Sequence, residues 1–312
     1  MDIFLKSISG ILVILGMILV GFVIGEKGWF DDKSRGLLAK LVTQVALPCY
    51  MLYTITQRFT AADLLKMLPA LRFPALSMVI LLGIATAVAR IFAVRQDRRG
   101  LFISMFFNSN TIFVGLPINQ ALFGDDSIPY VLIYYMCNTT FFWTLGTYLI
   151  QRDGEGEARF DLKTSLKKVF SPPLMGFLLG LVLVMLQIKL PAFLASDLQY
   201  LGNLTTPLSM IFIGLSVSHV GVKQLVLGKD QLLILLGRFL VAPLLMATIV
   251  YWVPLPSLMK QVFIIQSAMP VMTNAPVVAR LYGADSDYAA VMVTETTLAT
   301  MVVIPILMLL MA

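Results

Sequence analysis

Residues 108 to 127 read NSNTIFVGLPINQALFGDDS, an apolar run interrupted by Gly115-Leu116-Pro117. Inside a membrane helix a proline lacks the backbone donor and crowds the preceding turn, and a glycine two residues earlier loosens that turn. The spacing therefore predicts a broken helix. A break at membrane depth leaves N–H and C=O groups without helical partners, which is tolerated only where protein buries them or they line a cavity. The stretch is a candidate ligand site. It also has an echo 159 residues further on: Pro117 pairs with Pro276, Leu122 with Leu281, Gly124 with Gly283, Asp126 with Asp285 and Ser127 with Ser286. The same offset pairs Pro48 with Pro207, and agreement in helices so far apart reads as an internal repeat.

The chain around this stretch is 59% hydrophobic and 13% charged, with a mean hydropathy of +0.89. That leaves too little polar surface for a soluble globule of 312 residues and reads as an integral membrane protein. Ten segments are long enough to span, at about 8–25, 35–56, 68–93, 100–123, 128–150, 171–189, 196–218, 231–252, 259–282 and 287–311. The first resembles a signal peptide but lacks a small-residue cleavage site before Glu26-Lys27, so it is expected in the mature protein. Residues 151–170, QRDGEGEARFDLKTSLKKVF, form the long polar stretch. They separate a first five-helix repeat, 1–150, from a second, 171–312. Five is odd, so the second repeat enters the membrane from the opposite face. The fold expected is an all-α integral membrane protein of ten transmembrane helices in two inverted five-helix repeats, the pattern of secondary transporters, with helices 4 and 9 broken and crossing.

The net charge of +6 is a topology signal. Of the 23 Lys and Arg residues, 17 lie around the loops after segments 1, 3, 5, 7 and 9. The positive-inside rule puts those loops and the 151–170 linker in the cytoplasm and both termini outside, in the plasma (inner) membrane. Arg90, Arg95, Arg98 and Arg99 then anchor to anionic membrane lipid, and no nucleic-acid module is present. Cys49 and Cys137 lie inside spans and outline neither a disulfide nor a metal site. No Ser-His pair, paired Asp or metal-ligand set falls within the spans, and there is no nucleotide-binding loop. No enzyme, catalytic residue, metal or cofactor is expected. A sensor would need an output domain, and none is visible.

Polar residues inside the spans gather near prolines. Thr43 and Gln44 precede Pro48, and Asn203, Thr205 and Thr206 precede Pro207. The fifth segment carries Asn138, Thr139 and Thr140, whose side chains need partners across helices or around a ligand. The ninth holds Gln266, Ser267, Thr273 and Asn274 around Pro270 and Pro276, and reads as the second broken helix. Half-helix N-termini converging from two broken helices suit an anion. Glu295 lies about 12 Å into the tenth segment, where a carboxylate costs about 2.5 to 3.5 kcal/mol unless paired or protonated. Two readings stay open: an ion pair with Arg238, or a coupling site for a proton or a sodium ion. His219, near the end of the seventh segment, carries no role.

At Asn110-Thr111-Ile112-Phe113-Val114-Gly115-Leu116-Pro117 the sequence resembles the auxin efflux carrier family, which includes plant auxin exporters and bacterial malate or malonate permeases. The match extends over the whole chain. It implies that helices 4 and 9 cross at their prolines beside the substrate, with Asn110, Thr111, Gly115 and Pro117 on one, and Thr273, Asn274 and Pro276 on the other. Asn110 matches an asparagine that touches the substrate carboxylate, and Asn138 falls at the family's helix 5 amide. The resemblance further implies a scaffold of helices 1, 2, 6 and 7, a moving transport part of helices 3–5 and 8–10, and a homodimer. The short central loop and the residues around Asn274-Ala275-Pro276 depart from the plant members and point to a bacterial organic-anion permease. The function expected is a secondary transporter of a small organic anion such as malate, working as an elevator. A sodium or proton antiporter or symporter of similar fold is the alternative, and a membrane sensor or intramembrane enzyme ranks below it.

The charge split predicts that a single cysteine replacing Glu155, in a chain with Cys49 and Cys137 changed to Ala, reacts with an impermeant thiol reagent from the cytoplasmic side alone. Reaction from outside would overturn the topology.

Overall fold

The computed structural model describes residues 2–154, 169–220 and 228–311. Most of the expected linker, residues 155–168, lies outside the described residues. The described chain is helical, and its β-pairing is a single antiparallel bridge between Ser109 and Val271. The helices are α1 (Asp2–Glu26), α2 (Lys33–Arg58), α3 (Ala61–Ile91), α4 (Arg99–Phe107), α5 (Gly115–Phe123), α6 (128–151), α7 (Pro172–Met185), α8 (Ala192–His219), α9 (Lys229–Tyr251), α10 (Ser257–Ser267), α11 (Ala275–Tyr282) and α12 (Ser286–Met311). Five of them, α2, α3, α8, α9 and α12, are long and apolar enough to cross a membrane. The fourth and ninth expected spans are each split, into α4 with α5 and α10 with α11.

Both breaks fall earlier than Gly115-Leu116-Pro117 suggests. Residues 108–114 and 268–274 are the unwound segments, while Pro117 and Pro276 sit in the first turns of α5 and α11. A first-turn N–H has no helical acceptor in any case, and proline's fixed φ is already helical, so proline starts these half-helices. Gly124 ends α5 and Gly283 ends α11, both at φ 73°, in the positive region that glycine enters without a Cβ clash. These two glycines are partners at the 159-residue offset.

Prolines elsewhere give π-helical turns. Val42–Ala46 precedes Pro48, and Gly237–Val241 precedes Pro243. A third such turn, Phe142–Gly146, interrupts α6. The wider turn redirects carbonyls that proline cannot satisfy, and such bulges recur at functional sites. In α8 the chain instead makes a turn at Leu204, ahead of Pro207.

Packing gathers one large core, and two smaller clusters join α1, α2, α7 and α8 to helices around it. The largest core cluster draws on α3, α4, α6, α9, α10, α11 and the start of α12, with Met78, Leu81, Phe102, Phe106, Tyr134 and Phe263 fully buried. Outside it, α1 lies along α8 and α7 along α2. Both pairs approach closely at glycine: a Cβ on Gly214 would collide with the Ile18 carbonyl, one on Gly21 with Ile211, and one on Gly176 would lie 2.5 Å from the Pro48 carbonyl. At the edge of the large core, Asp153 accepts from the Gly100 and Leu101 amides at 2.9 and 2.6 Å, capping α4. Burial pushes its carboxyl above the usual carboxylate range, and the two amide bonds pull it back.

Gly214→Leu should lower the thermal unfolding midpoint of the detergent-purified protein, since overpacking costs about 1–3 kcal/mol or more. Gly16→Ala, where a Cβ meets nothing within 4 Å, should leave it unchanged. Equal midpoints for both variants would contradict the α1–α8 contact.

Candidate functional site

The unwound segments cross antiparallel and satisfy part of their backbone through each other: the Asn110 amide donates to the Pro270 carbonyl at 2.8 Å. Neighbouring helices satisfy more. Asn138 on α6 grips Ser109 from both sides, its Oδ1 accepting from the Ser109 amide at 2.9 Å and its Nδ2 donating to the Ser109 carbonyl at 2.7 Å. Thr296 on α12 accepts from the Val271 amide at 3.0 Å. Within the first segment, Asn110 Oδ1 accepts from Phe113 N–H at 3.1 Å, and the Asn110 carbonyl accepts from Gly115 N–H at 3.0 Å. These groups are buried, and each would cost about 1–3 kcal/mol if left unpaired.

A cavity of about 220 Å³ opens where the segments meet. Asn110, Thr111, Thr273 and Asn274 line it, together with Thr43 and Gln44 of the first π turn and Trp143 of the third. Two of its donors lack partners: Asn110 Nδ2 and Thr139 Oγ1 are buried without a hydrogen bond. Tyr135 Oη and Ser171 Oγ pair at 2.9 Å on its wall. Among the described residues no lining side chain is charged.

The other expected site residues have different places. Asn138 braces Ser109 and does not line the cavity. Gly115 permits close approach, since a Cβ there would collide with Gln266, whose Nε2 donates to the Thr111 carbonyl at 3.3 Å. Pro276 starts α11 without reaching the cavity lining. Pro117 lines a second cavity, about 300 Å³, with Tyr50, Gln120, Asn203 and Thr206. The two cavities correspond at the 159-residue offset: Thr43, Gln44 and Leu47 of the first fall on Gly202, Asn203 and Thr206 of the second. Val13 and Ile14 of the second likewise fall on Pro172 and Pro173 of the first.

The ion pair between Glu295 and Arg238 is not formed. Arg238 is fully buried and spends its donors on carbonyls: Nε on Met269 at 3.0 Å, Nη1 on Phe106 at 3.1 Å, and Nη2 on Ser267 at 2.5 Å and Met269 at 3.0 Å. Glu295 is 7% exposed, and both carboxyl oxygens are buried without a hydrogen-bond partner. Carbonyls at helix ends outcompete the carboxylate because they already converge where the guanidinium sits. Sequence reasoning missed this, as it missed Tyr135, Ser171 and Thr296. The doublet Pro172-Pro173, offset partner of Val13-Ile14, was the available signal for the start of α7 as a cavity wall.

Helices apolar and long enough to cross a membrane, beside two broken helices whose unwound segments meet at a polar cavity, fit a membrane transport protein. The chain belongs to the auxin efflux carrier-like family: residues 7–308 match the family model described as "Membrane transport protein". It is 27% identical over 299 residues to an "Uncharacterized transporter" of Methanocaldococcus jannaschii, covering 94% of this chain and 95% of that one. It is also 27% identical over 312 residues to an "Uncharacterized transporter" of Methanothermobacter thermautotrophicus, covering 97% and 98%.

Asn138→Ala leaves the Ser109 amide without its partner and the Ser109 carbonyl to the Thr111 N–H at 3.0 Å, and should lower unfolding stability by about 1–3 kcal/mol without removing a cavity-lining atom. Thermal unfolding of the purified variant checks this. A midpoint equal to wild type would mean that Asn138 does not hold the crossing.

Proposed function

We propose that the chain is a secondary carrier that moves a small organic anion, a dicarboxylate such as malate, by alternating access around the crossing. The observation that carries this reading is the cavity lined by both unwound segments, in which Asn110 Nδ2 and Thr139 Oγ1 are buried donors without partners. Such donors are costly unless a ligand takes them up. A cavity of about 220 Å³ is below the 300–1,000 Å³ of drug-sized sites and suits a small metabolite. α5 and α11 begin beside it, and helix starts favour negative charge.

In this reading the ten spans form two inverted five-helix repeats, supported by the paired glycines at φ 73° and by the offset that carries one cavity onto the other. The helices of the largest core, together with α5, are the transport part and slide against α1, α2, α7 and α8. The first cavity faces the cytoplasm and the second faces outward. A polar tie spans the two parts at the second cavity. Gln120 bonds Asp125 at 2.8 Å and accepts from Thr206 at 3.0 Å, and Arg58 pairs with Asp125 at 2.5 Å. It keeps the outward side shut while the cytoplasmic cavity is open. Glu295, buried and unpartnered, is the group through which a proton or sodium ion would couple to transport.

Asn110→Ala should weaken malate binding or uptake affinity by about 1–3 kcal/mol, roughly five- to hundredfold, with the protein still folded. Uptake of labelled malate into proteoliposomes, compared with wild type, checks this. An unchanged KM in a well-folded Asn110→Ala protein would remove Asn110 from the site.

A further inference from the structure

Four helix ends meet at the crossing. α4 and α10 arrive with their C-terminal carbonyls, and α5 and α11 depart with their N-terminal amides. Each C-terminal end is worth about half a negative charge and each N-terminal end about half a positive charge. Packed into one region, the four would cancel and leave the cavity with no preference for charge. Arg238 breaks that cancellation. Its guanidinium takes the Phe106 carbonyl at the end of α4 and the Ser267 and Met269 carbonyls at the end of α10, so one cation meets the two negative ends.

The placement is built into the local sequence. Gly237 lets α9 press against α4, because any Cβ there would collide with the Phe106 ring, and the π turn Gly237–Val241 aims the next side chain inward. None of the hydrogen bonds of Arg238 goes to a carboxylate, and the deep carboxylate of Glu295 has its oxygens unbonded. The guanidinium does not line the cavity but is tied to it through backbone. It holds Met269, while the amide of Asn110, a cavity-lining residue, holds Pro270.

We propose that Arg238 is a positioning residue that sets the charge preference of the site: by neutralising the C-terminal ends of α4 and α10, it leaves the starts of α5 and α11 as an uncompensated positive field over the cavity. It selects a carboxylate without touching it, and it ties the end of α4 to the unwound segment that follows α10. This inference rests on the reading of the cavity as an organic-anion site. A buried charge is screened less than one in solvent, so its field reaches the cavity from behind the lining residues.

The test uses full-length protein in proteoliposomes, with labelled malate as the probe and malamide, its uncharged diamide, as the competitor. Arg238→Gln removes the charge, and Arg238→Lys keeps it while losing the planar fork. The expected result is a malate KM raised about tenfold or more in R238Q and within about threefold of wild type in R238K, with malamide competing no worse in R238Q than in wild type. A purely structural brace would weaken malate and malamide together, in step with the melting temperature. R238Q with a wild-type malate KM, or R238K losing as much affinity as R238Q at an unchanged melting temperature, would overturn the proposal. If R238Q fails to fold, R238K decides: retained KM supports the charge role, and a tenfold rise in a protein of wild-type melting temperature refutes it. Wild-type vesicles that take up no dicarboxylate would overturn the carrier reading and this proposal with it. Wild-type uptake beside an unchanged R238Q would overturn this proposal alone.

Discussion

The structure depends on pairing unwound backbone in a place without water. Residues 108–114 and 268–274 carry amides and carbonyls that no helix satisfies, and in hydrocarbon each would cost several kcal/mol. Their partners come from every direction: Ser109 faces Val271, Asn138 reaches from α6, Thr296 from α12 and Arg238 from α9. That requirement explains why these three helices carry buried polar side chains in otherwise apolar sequence. It also leaves room for function. Asn110 Nδ2 and Thr139 Oγ1 remain unpaired, beside the cavity lined by both segments.

In the proposed reading an internal repeat gives this arrangement two sides. Gly124 and Gly283 close α5 and α11 with the same φ, and the residues of α2 beside the first cavity correspond to residues of α8 beside the second. The halves differ in side-chain chemistry. Gln44 corresponds to Asn203 and Leu47 to Thr206, and the second side carries the tie through Gln120, Asp125 and Arg58. A backbone symmetric at this level with an asymmetric tie can rest in one of two related forms. In the proposed cycle the tie is what the outward-open form must release.

Much of this was legible from periodicity and punctuation. Glycine and proline at 115–117 and 276 located both broken helices, because backbone chemistry is written in residue type. The breaks themselves lie upstream of Pro117 and Pro276, since proline is unfavourable in a helix interior and favourable in a first turn. Asn110, Thr111, Thr273 and Asn274, expected at the substrate from the family resemblance, line one cavity, whereas Asn138, expected there too, holds Ser109 and lies outside that lining. An amide in a span announces a need for partners without naming them. The Glu295–Arg238 pairing failed for a related reason: charge complementarity is visible in letters, but the carbonyls of Phe106, Ser267 and Met269 are not.

In the proposed cycle the crossing serves two cavities in turn, which can be tested by joining residues 58 and 125 across the outward side, where Arg58 and Asp125 pair at 2.5 Å. Both positions are replaced by cysteine in a chain with Cys49 and Cys137 changed to Ala, and a short bifunctional thiol reagent with a cleavable spacer is applied in proteoliposomes. Malate uptake should stop when the bridge forms and return when the spacer is cut. Uptake that continues at the uncrosslinked rate, with the bridge shown complete, would contradict it.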